Sequence, residues 1–138
     1  RQRIVDMCWI ERLNREIEVA AGVCRQRGAK EVQVARDETE RENLWRARRS
    51  ISPSLGRVRP NKLGEDIVVP RSAIPSMVVR IKEISLKHDL PIVIFGHAGD
   101  GNLHPNILFD KRDAEEWERV EAAVADLFAA AVELGGTL

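Results

Sequence analysis

The chain has 138 residues, 43% of them hydrophobic and 32% charged, and its 22 basic and 22 acidic side chains cancel to a formal charge of zero. That length suits one domain with a sizeable core, and the charge balance speaks against a nucleic-acid binder that relies on bulk positive potential. No apolar run is long enough to cross a membrane, and no secretory signal is visible.

Residues 4–27 are predicted to form a helix, because Ile10, Leu13, Ile17, Ala20, Ala21 and Cys24 keep helical spacing. Gly28 is its expected stop. The two cysteines, Cys8 and Cys24, fall on this one helix, too far apart to pair unless it breaks. A reduced, cytosolic setting is the default expectation. The chain begins without Met and ends at Gly135-Gly136-Thr137-Leu138, and both ends read as cut.

Glu31 to Ala35 alternates and predicts a short strand. Asp37, with Glu40 three residues on, predicts a capping box and a second helix. That helix carries Leu44, Trp45, Arg46, Arg48 and Arg49 and should end at Ser52-Pro53. The arginines fit a solvated helix face, or a clamp that holds a carboxylate through two parallel hydrogen bonds.

Residues 54–64 read as a loop, and Ile67-Val68-Val69 as a strand ended by Pro70. Pro75 is expected in the first turn of a third helix, with Met77, Val78, Ile81, Ile84 and His88 along one broad side. His88 near the end of that helix is accounted for by a favourable dipole interaction. Asp113 with Glu116 should cap the last helix, whose Trp117, Val120, Val124, Leu127, Phe128 and Ala131 form an apolar stripe closed by Gly135-Gly136.

Between the third and last helices lies the most informative stretch, Phe95 to Asn106, which holds two of the three histidines around Asp100-Gly101. An Asp-Gly pair between apolar runs predicts a two-residue type I′ hairpin. His97 would then face His104 directly, with Cβ atoms about 4.5–5.5 Å apart, and Phe95 and Asn106 would follow on the same face. Ile92, Ile94, Leu103, Ile107 and Phe109 would line the opposite, core-facing side. Two neutral imidazoles so placed can share a metal ion, with a third ligand from elsewhere. They read equally well as polar groups on a wet face. No phosphate-loop or dinucleotide fingerprint surrounds the glycines. The whole order predicts an α+β fold, helices on one face of a mostly antiparallel sheet, a ferredoxin-like α+β sandwich in a single domain 1–138.

Leu44-Trp45-x-x-Arg48, Glu65-Asp66-Ile67-Val68-Val69-Pro70-Arg71-Ser72 and Gly96-His97-Ala98-Gly99-Asp100-Gly101-Asn102-Leu103-His104-Pro105 resemble the C-terminal domain of FAD-linked oxidases. The likeness is to the glycolate oxidase branch, with relatives among D-lactate and D-2-hydroxyglutarate dehydrogenases, and runs from about residue 15 to the end. The resemblance implies a longer flavoprotein that oxidises a 2-hydroxy acid to a 2-oxo acid. Its N-terminal domain would bind FAD, and this domain would cover the flavin and contact substrate. By position, His97 and His104 match the ligands of a divalent metal, zinc or manganese in metal-dependent relatives. Asn106 matches a polar substrate-site residue, and Arg48 an arginine that binds the substrate carboxylate. Lys62 lies near a lysine with the same task, and Ser52 stands where some relatives have threonine.

The family's Ser-Gly-Glu-His-Gly-like segment, which supplies a third metal ligand and the general-base histidine, would fall beyond Leu138. No flavin-binding loop is recognisable, nor is the strand expected before the first helix. The isolated chain is therefore expected to be inactive, to bind metal weakly and to expose apolar surface that favours self-association. The resemblance further implies the FAD domain and other oxidase subunits as partners, and a cytoplasmic place at the periphery of the inner membrane. Two other readings are a stand-alone metal- or ligand-binding α+β domain without a redox role, and a purely structural or interaction module.

Overall fold

The computed structural model describes the backbone from Gln2 to Leu138 and the side chains from Glu11 onward. Two compact units divide it, residues 1–49 and 50–138.

The first unit holds helix α1 (Gln2–Gln26) and most of helix α2 (Glu38–Ser54). Helix α1 stops as predicted. Gly28 takes φ +83°, and the amides of Gly28 and Ala29 return to the carbonyls of Arg25 and Cys24. Of its expected stripe, Ala21 is buried while Leu13 is exposed. The Cys24 thiol is exposed, and the side chains of Cys8 and Ile10 lie outside the described residues. Residues 31–34 keep the predicted alternation of burial, which fails at Ala35, and the segment is not a strand. Alternation alone supplies no ladder partner, and this segment instead lines a cavity together with Glu40, Asn43 and Leu44 of α2.

Asp37 caps α2 as expected, its Oδ1 accepting the Glu40 amide at 2.8 Å. The return bond of the box is displaced by one residue. Glu40 accepts from the Arg36 amide at 2.9 Å and pairs with its guanidinium at 2.7 Å, which holds the Glu40 carboxyl below its usual range. Helix α2 does not end at Ser52-Pro53 but runs to Ser54. Proline in a last turn removes only one intrahelical donor, and Ser54 Oγ donates to the Ser50 carbonyl at 2.7 Å.

The second unit has strands β1 (Asn61–Gly64), β2 (Ile67–Val68), β3 (Ile92–His97) and β4 (Asn102–Phe109), with helices α3 (Ile74–His88) and α4 (Ala114–Glu133). Strand β4 pairs antiparallel with all three others. Strand β1 was not expected: Asn-Lys-Leu-Gly has poor strand propensity, and its place comes from pairing with Asn106–Phe109. The α+β class is as predicted. Ile67, Leu103, Ile107 and Phe109 from the sheet pack with Met77, Ile81 and Ile84 of α3 and Val120, Ala123, Leu127 and Ala131 of α4. At about 25 cal/mol per Å² of apolar surface, this seam is the main source of stability.

Pro75 lies in the first turn of α3. Asp113 caps α4 by accepting the Glu116 amide at 3.0 Å. Glu116 does not complete a box; its carboxylate is buried, accepts the Asp110 amide at 2.6 Å and stands 3.5 Å from Arg59. His88 finds more than a helix dipole: its Nε2 lies 2.6 Å from Asp126 Oδ2 on α4, beside Lys87 at 2.7 Å. These two hold the Asp126 carboxyl below its usual range, His88 most.

The Asp126 contribution is therefore fully present above an unfolded-state pKa of about 3.9 and is lost as pH falls through its lower folded-state value. Acid titration followed by circular dichroism should show stability falling less steeply in that interval in Asp126→Asn than in the wild type, because other carboxyls held low, such as Glu40, remain in both, with a difference at neutral pH of about 1 kcal/mol or less. Two left-handed glycines give a second comparison. A Cβ at Gly28 meets nothing within 4 Å, whereas one at Gly101 (φ +82°) would lie 2.0 Å from the Val69 carbonyl oxygen. Gly28→Ala should cost about 1 kcal/mol and Gly101→Ala clearly more, roughly 3 kcal/mol or above, by urea denaturation.

Candidate functional site

The site grows from the hairpin β3–β4. Its turn is not the two-residue type I′ form. Among the described non-glycine residues only Asp89 has positive φ, so Asp100 cannot supply the first left-handed position that type demands. The loop instead spans residues 98–101. The amides of Asp100 and Gly101 both return to the His97 carbonyl, at 3.3 and 3.0 Å, and Asp100 Oδ1 accepts the Asn102 amide at 3.1 Å. The register moves accordingly: His97 faces Asn102, Phe95 faces His104 and Val93 faces Asn106. A shift of two residues keeps every side chain on its face, where a shift of one would have inverted the sheet. The two histidines therefore stay together as diagonal neighbours, ring centroids 5.3 Å apart and planes at 90°.

On the far edge of β4, strands β1 and β2 share one register. Lys62 pairs with Leu108, Gly64 with Asn106 and Val68 with Asn102. They read as one strand interrupted at Glu65 and Asp66, and the cause is Pro105. It accepts the Glu65 amide at 3.0 Å but has no N–H to return.

The sheet face away from α3 and α4 thus carries Lys62, Asn106, His104 and His97. His97 is exposed, His104 is half-buried, and Asn106 is buried at 4%. Asn106 Nδ2 donates to the His104 carbonyl at 2.8 Å. A Cβ at Gly64 would stand 3.1 Å from Asn106 Oδ1, so the missing side chain at 64 leaves this amide its room. Lys62 Nζ donates to Ser52 Oγ in the last turn of α2, which places Ser52 beside the lysine. His104 Nδ1 bonds to Asp66, and its ring lies 5.8 Å from that of Phe95. Asn102 Oδ1 is buried on this same face with no donor among the described residues.

Arg48 belongs to the first unit, where with Arg41, Leu44 and Trp45 it lines a shallow groove on α2. The sheet brings together four of the five sequence-predicted residues, and Arg48 is positioned on its own unit. Asp66 stands inside one of the sequence motifs, yet sequence reasoning assigns it no role. The usable signal is its place one residue before a strand that pairs with the histidine strand.

The two imidazoles fit a shared ion in spacing. With zinc ~2.0–2.1 Å from one nitrogen of each ring and a tetrahedral angle between them, ring centroids fall about 5 Å apart. Among the described residues no cluster of three or more His, Cys, Asp or Glu is arranged to hold a metal. No helix among them is long and apolar enough to cross a membrane.

Residues 10–138 match the family of FAD linked oxidases, C-terminal domain, and the chain belongs to that family. It is 46% identical over 128 residues to the glycolate oxidase subunit GlcD of Bacillus subtilis (strain 168), covering 93% of this chain and 27% of that protein. Identity to the protein of the same name from Escherichia coli (strain K12) is 38% over 111 residues, covering 80% of this chain and 22% of that one. A probable mitochondrial D-lactate dehydrogenase of Danio rerio is 30% identical over 127 residues, covering 91% and 26%. The chain thus spans about a quarter of the length of the curated relatives it matches.

The interruption at Pro105 can be checked directly. Pro105→Ala restores a donor opposite Glu65, so hydrogen exchange should find the new amide at 105 protected to the level of its β4 neighbours; an amide that exchanges like a loop would place the break elsewhere.

Proposed function

We propose that the chain, taken as one functional domain 1–138, is the partial substrate-covering C-terminal domain of an FAD-dependent dehydrogenase or oxidase. The enzyme oxidises a 2-hydroxy acid of the glycolate or D-lactate type to a 2-oxo acid. The observation that carries this reading is the gathering of His97, His104, Asn106 and Lys62 on one face of the sheet. The names of the relatives support the substrate class.

In this reading Lys62 receives the substrate carboxylate, its ammonium held by Ser52; Arg48, on the first unit, is assigned to carboxylate binding by the resemblance, and a guanidinium grips a carboxylate in bidentate fashion. Asn106 is kept rigid by its bond to the His104 carbonyl and offers its amide oxygen to a substrate hydroxyl. His97 and His104 hold a divalent metal, zinc or manganese. When bound, that ion supplies Lewis-acid polarisation of the substrate hydroxyl. FAD is bound by a separate domain of the same polypeptide. The general base is assigned to none of the 138 residues. Other oxidase subunits and a cytoplasmic, membrane-peripheral setting belong to the same proposal. The exposed Leu13, Val19, Val23, Leu44 and Trp45 support the expectation that the isolated chain self-associates.

The test is a chimera carrying residues 10–138 in place of the matched segment of the Bacillus subtilis relative. With FAD retained, as its absorbance reports, it should reduce an artificial acceptor with glycolate or D-lactate, while the 138 residues alone should not. His97→Ala or His104→Ala should lower kcat/KM by more than about 100-fold, since loss of groups that only support a metal ligand already costs about 10–100-fold. Arg48→Ala and Lys62→Ala should act chiefly through KM. A flavin-loaded chimera that kept full turnover without both histidines would overturn the assignment.

A further inference from the structure

We infer that Asp66 is a positioning residue that fixes His104 as the Nδ1–H tautomer, so that the Nε2 lone pair is the one free to act on the face shared with His97. The inference rests on the proposed role of His104 and adds the group that prepares it. His104 Nδ1 bonds to the Asp66 carboxylate. A carboxylate at neutral pH only accepts hydrogen bonds, so the ring nitrogen facing it must carry the proton. In a neutral imidazole the other nitrogen is then bare.

The pairing is built into the backbone. The amide of Glu65 bonds to the carbonyl of Pro105 at 3.0 Å, and Ile67 pairs with Leu103. Asp66 therefore lies level with His104 in the same register, in the close, non-hydrogen-bonded type of pair whose Cα atoms stand about 4.5 Å apart. Directly opposed residues share a face, so the carboxylate can reach the ring from the neighbouring strand. The asymmetry of exposure fits the role. The His104 side chain is 21% exposed and that of Asp66 72%: the half-buried partner is the one whose orientation is set. Phe95, opposite His104 on β3, bounds the ring on its other side. His97 has no such partner among the bonds of the described residues, so the two imidazoles are prepared unequally.

The test uses the 138-residue chain labelled with ¹⁵N-histidine, at about pH 8, above the ordinary imidazole pKa of about 6.5. Two-bond ¹H–¹⁵N correlations should report His104 with Nδ1 protonated and Nε2 bare. Asp66→Ala should turn it into a tautomer mixture dominated by Nε2–H, and Asp66→Glu should restore the wild-type pattern. Asp66 is exposed, and an amide spectrum of native dispersion verifies that the variants are folded. Zn²⁺ alone, titrated against a chromophoric chelator, is the second readout: its affinity should fall about 10–100-fold in Asp66→Ala and return in Asp66→Glu. An unchanged His104 tautomer in Asp66→Ala overturns the inference. A changed tautomer with no measurable Zn²⁺ binding by the wild-type chain upholds the positioning role and counts instead against the metal role proposed above.

Discussion

Strand β4 is the constraint on which the second unit depends. All the other strands hydrogen-bond to it. Its odd-numbered side chains, Leu103, Ile107 and Phe109, join the core with α3 and α4, and its even-numbered ones face the candidate site. A central strand with a proline at its middle would be expected to fail. It does not fail because the missing donor falls on the β1–β2 side alone, where the neighbouring strand yields by breaking at Glu65 and Asp66. The register is kept across the break, so Asp66 still lies opposite His104.

Much of this was legible in the sequence, for reasons that can be located. Helix caps are local, and Asp37 and Asp113 each accept the amide three residues on, as their spacing implied. The alternation of apolar side chains through the hairpin assigned both faces correctly even though the turn type was wrong, because period-2 patterning survives an even shift of register. What the sequence did not reveal is set by partners distant along the chain. Nothing in Asn-Lys-Leu-Gly announces a strand until Asn106–Phe109 is placed beside it. The bond of His88 to Asp126 joins two helices separated by the whole hairpin. Conversely, Glu31 to Ala35 had the pattern of a strand and lacked only something to pair with. The candidate site divides in the same way: the histidines came from one local motif, whereas the carboxylate beside His104 and the serine beside Lys62 come from other strands and turns.

The family and the geometry inform different parts of the reading. The chain belongs to the FAD linked oxidase C-terminal domain family, and its polar groups gather on a sheet face that lies away from the helical layer. On the proposed reading, a domain that covers a cofactor held elsewhere needs one wet, functional side and one packed side. The α+β arrangement provides both with a single layer of helices. Lys62, Gly64 and Asn106 further show that the site is shaped by what is absent as well as by what is present, since the buried amide occupies the space a side chain at position 64 would take.

The glycines of the second unit have a bearing on how sequences of relatives should be read. A Cβ at Gly96, Gly101 or Gly136 would come within 2.3 Å of a backbone oxygen, while one at Gly99, in the same turn as Gly101, meets nothing within 4 Å. At the first three positions the choice of residue is settled by chain packing before any chemistry is considered. Invariance there in a set of homologues would carry no information about substrate or cofactor, although all but Gly136 sit inside the histidine motif. Gly99 is the motif position where the fold is indifferent. Restriction at Gly99 is what would report selection for activity.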